Sequence, residues 1–203
     1  MKKIFLLIIA TLVLYSCNET TSTKKSNVGD SSGNINNVSV FIDDQLWNSE
    51  IGDSIRKKLA APVDGLQNEE PLFNINQYPT KIFDGFVKKG RNIIFIQKGE
   101  QNTFSAQKDT YAAPQNLFVI SGKSAADIIT VFENKSNEII TLIKQGEIKE
   151  NQRRINKSIV DDSQLTKLFG LKMNIGYGYK YDMVKKDFVW LRKEFTSGYN
   201  SIL

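Results

Sequence analysis

The chain has 203 residues, 27 Lys and Arg against 22 Asp and Glu, a formal net charge of +5, one cysteine and no histidine. So small a charge gives no sign of nucleic-acid binding, and a single cysteine excludes an internal disulfide. The lack of histidine excludes Ser-His-Asp and Cys-His catalysis, HExxH zinc sites and His-carboxylate iron sites. No GxGxxG, GxxxxGK[ST] or D-x-[DN]-x-[DN]-G stretch occurs, so no metal or cofactor is expected.

Lys2 and Lys3 precede an almost wholly apolar run from Ile4 to Tyr15, which Ser16 and Cys17 close. That is the layout of a bacterial lipoprotein signal peptide, residues 1–17, and the run is well short of the ~20 residues a spanning helix needs. Lipidation of Cys17 is therefore expected, and each buried CH2 of an attached chain contributes about 0.8 kcal/mol to membrane attachment. Residues 18–37 are rich in Ser, Thr, Asn, Gly and Lys, with Val28 and Ile35 as their only aliphatic side chains. This composition predicts a flexible linker. No acidic run follows Cys17, so the expected address is the cell envelope, facing the periplasm, at the outer rather than the inner membrane.

The remaining residues, 38–203, suffice for one domain with a real core. Val38 to Ile42 alternates and predicts a strand, with Asp43 and Asp44 placed to cap the helix after it. From Asp44 to Ala60, Trp47, Ile51, Ile55 and Leu59 form one apolar stripe, with Asp53 and Lys57 as an i, i+4 pair. Pro62 and Gly65 end that helix. Leu72 to Tyr78 reads as a second strand stopped by Pro79, and Ile82 to Phe86 as a helical turn. Asn92 to Gln97 is apolar on both sides, as in a central covered strand. Residues 99–108 read as polar turn, and Leu117 to Ile120 as another covered strand.

Ser124 to Lys157 predicts two helices with a joint at Asn134 to Asn137, carrying Ile128, Phe132, Ile139 and Ile143 inward and extending loosely through Ile148 and Ile155. Asp162 and Ser163 are placed to cap a short helix to Phe169, which Gly170 stops. Leu171 to Ile175 and Phe188 to Leu191 read as strands, with a turn from Gly176 to Tyr179. The chain then ends on Ile202 and Leu203, where a hairpin partner begins, which suggests a longer parent protein. The expected fold is α+β, a mixed, largely antiparallel sheet with helices packed on it in a single domain.

Asp43-Asp-Gln-Leu-Trp47, Ala60-Ala-Pro-Val-Asp-Gly-Leu66, Glu69-Glu-Pro-Leu-Phe73, Arg91-Asn-Ile93, Ala113-Pro-Gln115 and Phe188-Val-Trp-Leu-Arg192 together resemble the Bacteroidota lipoproteins grouped as domain of unknown function 4837. The likeness runs from about Val38 to the end of the chain. It implies a lipoprotein signal and a longer parent, with no assigned activity and no established catalytic residues.

Carboxylate chemistry survives the exclusions, since wall glycosidases need only one or two placed acids. Among Asp43, Asp44, Glu50, Asp53, Glu69 and Glu70, the catalytic candidates are Glu69 and Glu70, although adjacent acids on an extended segment point apart. Tyr177 and Tyr179 are candidates for stacking on a sugar, and Arg153, Arg154 and Lys157 for meeting a phosphate or lipid headgroup. Trp47 and Trp190 belong to apolar stripes and read as core. The resulting expectation is a lipid-anchored envelope protein that binds a protein or glycan partner without catalysis. The alternative is a carboxylate-dependent hydrolase or lyase acting on wall glycan.

Overall fold

A computed structural model of the chain describes residues 28–66 and 69–203. The signal segment 1–17, with Cys17, and residues 18–27 of the expected linker lie outside the described residues. From Gly29 onward, where its carbonyl accepts the Ala113 N–H (3.0 Å), the chain is bonded to the body. Ser31 N–H donates to the Ala113 carbonyl (3.1 Å), Ser32 N–H to that of Lys89 (2.8 Å), and Arg91 N–H to that of Ser32 (3.1 Å). Residues 29–36 thus form a strap along the domain, and the flexible segment predicted to reach residue 37 gives way to bonded chain by Gly29.

The centre is a five-stranded sheet in the order β2-β1-β3-β5-β4. Its strands are β1 (Asn37–Phe41), β2 (Asn74–Tyr78), β3 (Asn92–Lys98), β4 (Thr103–Lys108) and β5 (Asn116–Gly122). β1 pairs in parallel with β2 and β3, β3 in parallel with β5, and β4 antiparallel with β5. The mixed sheet with helices on it is as the sequence predicted. Parallel pairing dominates this sheet, and the antiparallel pairs are concentrated toward the C-terminus. β3 and β5 are buried on both faces, which is why their sequences are continuous apolar runs.

The helical stretch after β1 is broken into α1 (Asp44–Trp47) and α2 (Glu50–Leu59), with Ser49 as the N-cap of α2, its hydroxyl accepting the Ile51 N–H (3.3 Å). The break needs Gly52, because the Trp47 carbonyl occupies the space a Cβ there would fill. Asp43 and Asp44 do not cap by side chain. Asp43 accepts the Thr80 hydroxyl and Asp44 the Gln77 amide, so they tie the chain after β1 to the turn after β2 and to β2 itself. Asp53 pairs with Arg56 (2.7 Å), one residue short of the expected Lys57.

After β2, two short 3-10 turns, Thr80–Ile82 and Gly85–Lys89, cross the face of the sheet opposite the helices. They seat Phe83 4.7 Å from Phe41 and 5.0 Å from Phe95. Residues 99–108, expected as turn, contain β4, a polar edge strand held by backbone pairing to β5.

One unbroken helix, α3 (Ala125–Ile155), replaces the predicted pair. Its N-terminus carries a capping box, with Ser124 Oγ accepting the Asp127 N–H (3.2 Å) and the Asp127 carboxylate accepting the Ser124 N–H (3.0 Å). The expected joint does not form because Ser136 is buried and small, with its hydroxyl on the Glu133 carbonyl (2.9 Å). Ile51, Ile55 and Leu59 of α2 and Ile128, Phe132, Ile139 and Ile143 of α3 cover Val38, Val40, Ile94, Ile96, Phe118 and Ile120.

Beyond α3 lie β6 (Ile159–Val160), α4 (Ser163–Phe169), β7 (Ile175–Gly176), β8 (Lys180–Lys185), β9 (Phe188–Phe195) and β10 (Gly198–Ile202). β6 pairs with β7, and β9 lies between β8 and β10, all antiparallel. This part has a small core of its own: Leu165, Ile175, Val189 and Leu191. Residues 171–174 form no strand, and β8 was not foreseen.

At Gly122 of β5 a Cβ would stand 2.8 Å from the Ile128 backbone nitrogen of α3 and 2.9 Å from its Cγ1. Gly122→Ala is expected to cost about 1–3 kcal/mol through overpacking, read as a lowered urea midpoint with an unchanged m-value.

Candidate functional site

The inward positions of α3 run Ile128, Phe132, Ser136, Ile139, Ile143, Glu147 and Glu150. The spacing of three and four residues is kept throughout, and the last two places are taken by acids. Both glutamates are 3% exposed, and the residue they meet is Arg91, 4% exposed, immediately before β3.

Arg91 Nε donates to Glu147 Oε1 (2.7 Å) and Nη2 to Oε2 (3.1 Å), a bidentate pair. Its remaining donors reach the carbonyls of Asn34 (2.7 Å) and Gly33 (3.2 Å) on the strap. Glu147 also accepts the Asn36 N–H (2.7 Å) and the Asn92 amide (2.6 Å), so each carboxylate oxygen receives two hydrogen bonds. Asn92 Oδ1 in turn accepts from Asn116 Nδ2 (3.0 Å). With its lone pairs filled, Glu147 has no oxygen left to take a proton from a substrate.

Glu150 is held by Arg153 (Nε to Oε2, 2.7 Å; Nη2 to Oε1, 2.9 Å) and by Arg154 (Nε to Oε1, 2.7 Å). The Arg153 hydrogen bonds, with Arg154 adding to them and burial opposing, lower its pKa from 4.5 to about 2. It is ionised at neutral pH and has no proton to give. Arg154 also reaches the Gly33 carbonyl (2.9 Å), so the end of α3 is tied to the strap.

Two recesses flank Arg91. One, about 350 Å³, lies between the strap, β1–β2 and the second 3-10 turn, and is lined by Asn34, Asn37, Ser39, Asn76, Tyr78 and Phe86 among others. The other, about 250 Å³, lies toward α3 and includes Lys108, Gln115, Gln145, Lys149 and Arg153. Among the described residues no group of three or more acids, or acids with cysteine, stands together in a way that could hold a metal ion.

Glu69 and Glu70 are exposed on the loop before β2. Glu70 borders a surface depression of about 410 Å³ that Lys144 and Glu147 also line. Arg153 and Arg154 spend their guanidinium groups on Glu150, while Lys157 is exposed at the end of the helix. Tyr177 is 75% exposed, and the β6–β7 pairing brings its segment alongside that of Lys157, with Tyr177 N–H on the Ser158 carbonyl (3.0 Å). Tyr179 is half-buried beneath Lys193. Neither tyrosine joins the Arg91 network. Trp47 packs against the main core under Arg56, and Trp190 is half-buried with its ring nitrogen on the Ser201 hydroxyl (2.9 Å).

The sequence reading missed Arg91, Asn92, Asn116, Glu147 and Glu150 as a group. The signal was present in the α3 spacing, which continues through Glu147 and Glu150, whereas Ile148 is 59% exposed.

The chain is thus a mixed α/β domain with a buried arginine–glutamate network where the strap, the start of β3 and the end of α3 meet. It belongs to the family described as domain of unknown function DUF8532, whose model matches residues 31–156. This is a different family from the 4837 lipoproteins, though both are domains of unknown function. The match takes in the strap from Ser31 on, the five-stranded sheet, the whole network and both recesses, and ends just before the C-terminal strands. No curated protein and no solved structure matches the chain.

Removing one member of the buried pair leaves the other charge unmet. Glu147→Ala is expected to cost about 3–5 kcal/mol in urea unfolding, whereas the double variant Arg91→Met/Glu147→Leu is expected to recover most of that loss. A depressed folded-state pKa gives stability that is present above the unfolded value and lost as pH falls through the folded one. The stability gap between wild type and Glu150→Gln is therefore expected to be full above pH 4.5 and to close toward about pH 2. Its size should be about 2 kcal/mol, reduced by solvent screening at the half-exposed arginines.

Proposed function

We propose that this is a lipid-anchored cell-envelope protein whose domain binds a partner, a protein or a glycan, without performing catalysis. The attachment rests on the signal-like residues 1–17 and Cys17, and the short-motif resemblance to the 4837 lipoproteins supports the same address. Among the described residues no helix is long and apolar enough to cross a membrane.

The observation that carries the binding reading is the state of the two buried carboxylates. Glu147 has every lone pair occupied and Glu150 is held ionised by two arginines, so neither can serve as a general acid, while an open recess of about 350 Å³ lies against the same network. A site that binds needs shaped and fixed walls, and the network supplies them. The hydrolase reading has one observation in its favour, the shared depression bordered by Glu70 and Glu147. Glu147 would have to abandon Arg91 to act there.

Crosslinking of the full-length protein in intact envelopes is expected to recover one partner repeatedly, with mass spectrometry finding acyl chains on Cys17. The double variant Glu69→Gln/Glu70→Gln is expected to behave like wild type toward wall fragments. Turnover by wild type that this variant abolishes would favour the hydrolase.

A further inference from the structure

Side chains alternate across a strand, so Val38 and Val40 of β1 face the helices while Asn37, Ser39 and Phe41 face the other way. The parallel register sets Asn74, Asn76 and Tyr78 of β2 beside them. On this second face the carboxyl half is apolar: Phe41 and Phe95 are closed over by Phe83, and Tyr78 stacks on Phe41 at the edge of the recess. The amino half turns polar, with Asn37, Ser39 and Asn76 forming the floor of the 350 Å³ recess.

Asn is disfavoured in strands, yet both strands carry it here, with Asn76 exposed to solvent and Asn37 and Ser39 partly so. Among the described residues the side chains of Asn34, Asn37, Ser39, Asn76 and Tyr78 have no hydrogen-bond partner, and Asn34 and Asn37 are engaged through backbone groups instead. The recess therefore presents a row of amides and hydroxyls that the protein itself does not use.

We propose that this recess binds a neutral, hydroxyl-rich ligand, a sugar unit of an envelope glycan. An asparagine amide both donates and accepts, as a sugar hydroxyl does. The lining contains no acid and no lysine, and its one charge, Arg91, is consumed by Glu147 and the strap carbonyls. A charged ligand would find no counter-charge there. Phe86, 73% exposed at the rim, and the Tyr78 ring supply apolar faces for the C–H side of a pyranose. The volume lies at the small end of ligand pockets and suits a short glycan segment. Because Arg91 and Arg154 fix the Asn34 and Gly33 carbonyls, one wall is set before the ligand arrives. The assignment deepens the binding reading above and rests on it.

The test titrates the full-length protein in detergent micelles with chitotriose, maltotriose and mannotriose as neutral probes. Galacturonate and inorganic phosphate serve as charged controls, and binding is read by calorimetry and ligand-observed NMR. Saturable binding of a neutral probe is expected, weakened about tenfold in Phe86→Ala and at least about threefold in Asn76→Ala. Both positions are exposed, so the thermal unfolding curve should stay in place, and Lys149→Ala in the opposite recess should bind as wild type. No saturable binding of any neutral probe, tighter binding of a charged control, or wild-type affinity in both recess variants would overturn the assignment. If envelope crosslinking still recovers a protein partner while no sugar binds, only the saccharide assignment falls. If neither is found, the binding reading falls with it.

Discussion

Taking a guanidinium out of water costs several kcal/mol, and the cost is offset only where its donors are met in good geometry. At Arg91 the partners come from distant parts of the chain: Glu147 near the end of α3, and the carbonyls of Gly33 and Asn34 on the strap. The apolar stripe of α3 stops at Ile143, and past that point Glu147 and Glu150 take the inward places. The last part of the helix is therefore held by charge and hydrogen bonds where its first part is held by apolar packing. Hydrophobic contact tolerates a small slide, whereas a bidentate arginine–carboxylate pair does not. The network thus fixes the register of α3 against the start of β3.

The same bonds determine what the surface offers. Three arginines and two glutamates are gathered here, yet little of that charge reaches a ligand, because Arg91 is buried and Arg153 and Arg154 are turned onto Glu150. The basic side chains gathered here are thus spent largely on internal pairing. What remains on the strap side is a neutral recess whose floor is amide and hydroxyl. On the α3 side, Lys108 and Lys149 keep some positive character. A single buried network thus separates two surfaces of different chemistry.

How legible this was depended on how many constraints each segment satisfies. β1, β3, β5 and the stripe of α2 were readable because burial leaves a repeating apolar pattern. β4 and β8 were not, because an edge strand is held mainly by backbone pairing and its side chains face solvent, so Thr103–Lys108 reads as a polar turn. The polar run from Asn134 to Asn137 looked like a joint, but only Ser136 points inward, and it is small enough to pack. The network was hidden for a related reason. A hydrophobic-periodicity reading follows apolar residues, and here the period continues while the chemistry changes, so it leads to Ile148 on the exposed side. Arg91-Asn-Ile93 and Gln115 stand among the motif positions, but their role depends on contacts with α3 and the strap that no local pattern encodes.

The boundaries of the family match carry a last step of the same argument. It spans residues 31–156, and the Arg154 guanidinium bonds to the Gly33 carbonyl, joining the two ends of that span at one point. The main apolar core and the Arg91 network both lie inside that span. The strands β6 to β10 have a separate core and meet the unit at the end of α3, where Gly176 approaches Ile155 and Asn174 bonds to Asn156. Tyr177 and Tyr179 belong to that addition, whereas Asn37, Ser39, Asn76 and Phe86 belong to the unit the family shares. A ligand site built on the second set uses walls that the buried pair already holds in place, and one built on the first would have to be positioned by the smaller core alone.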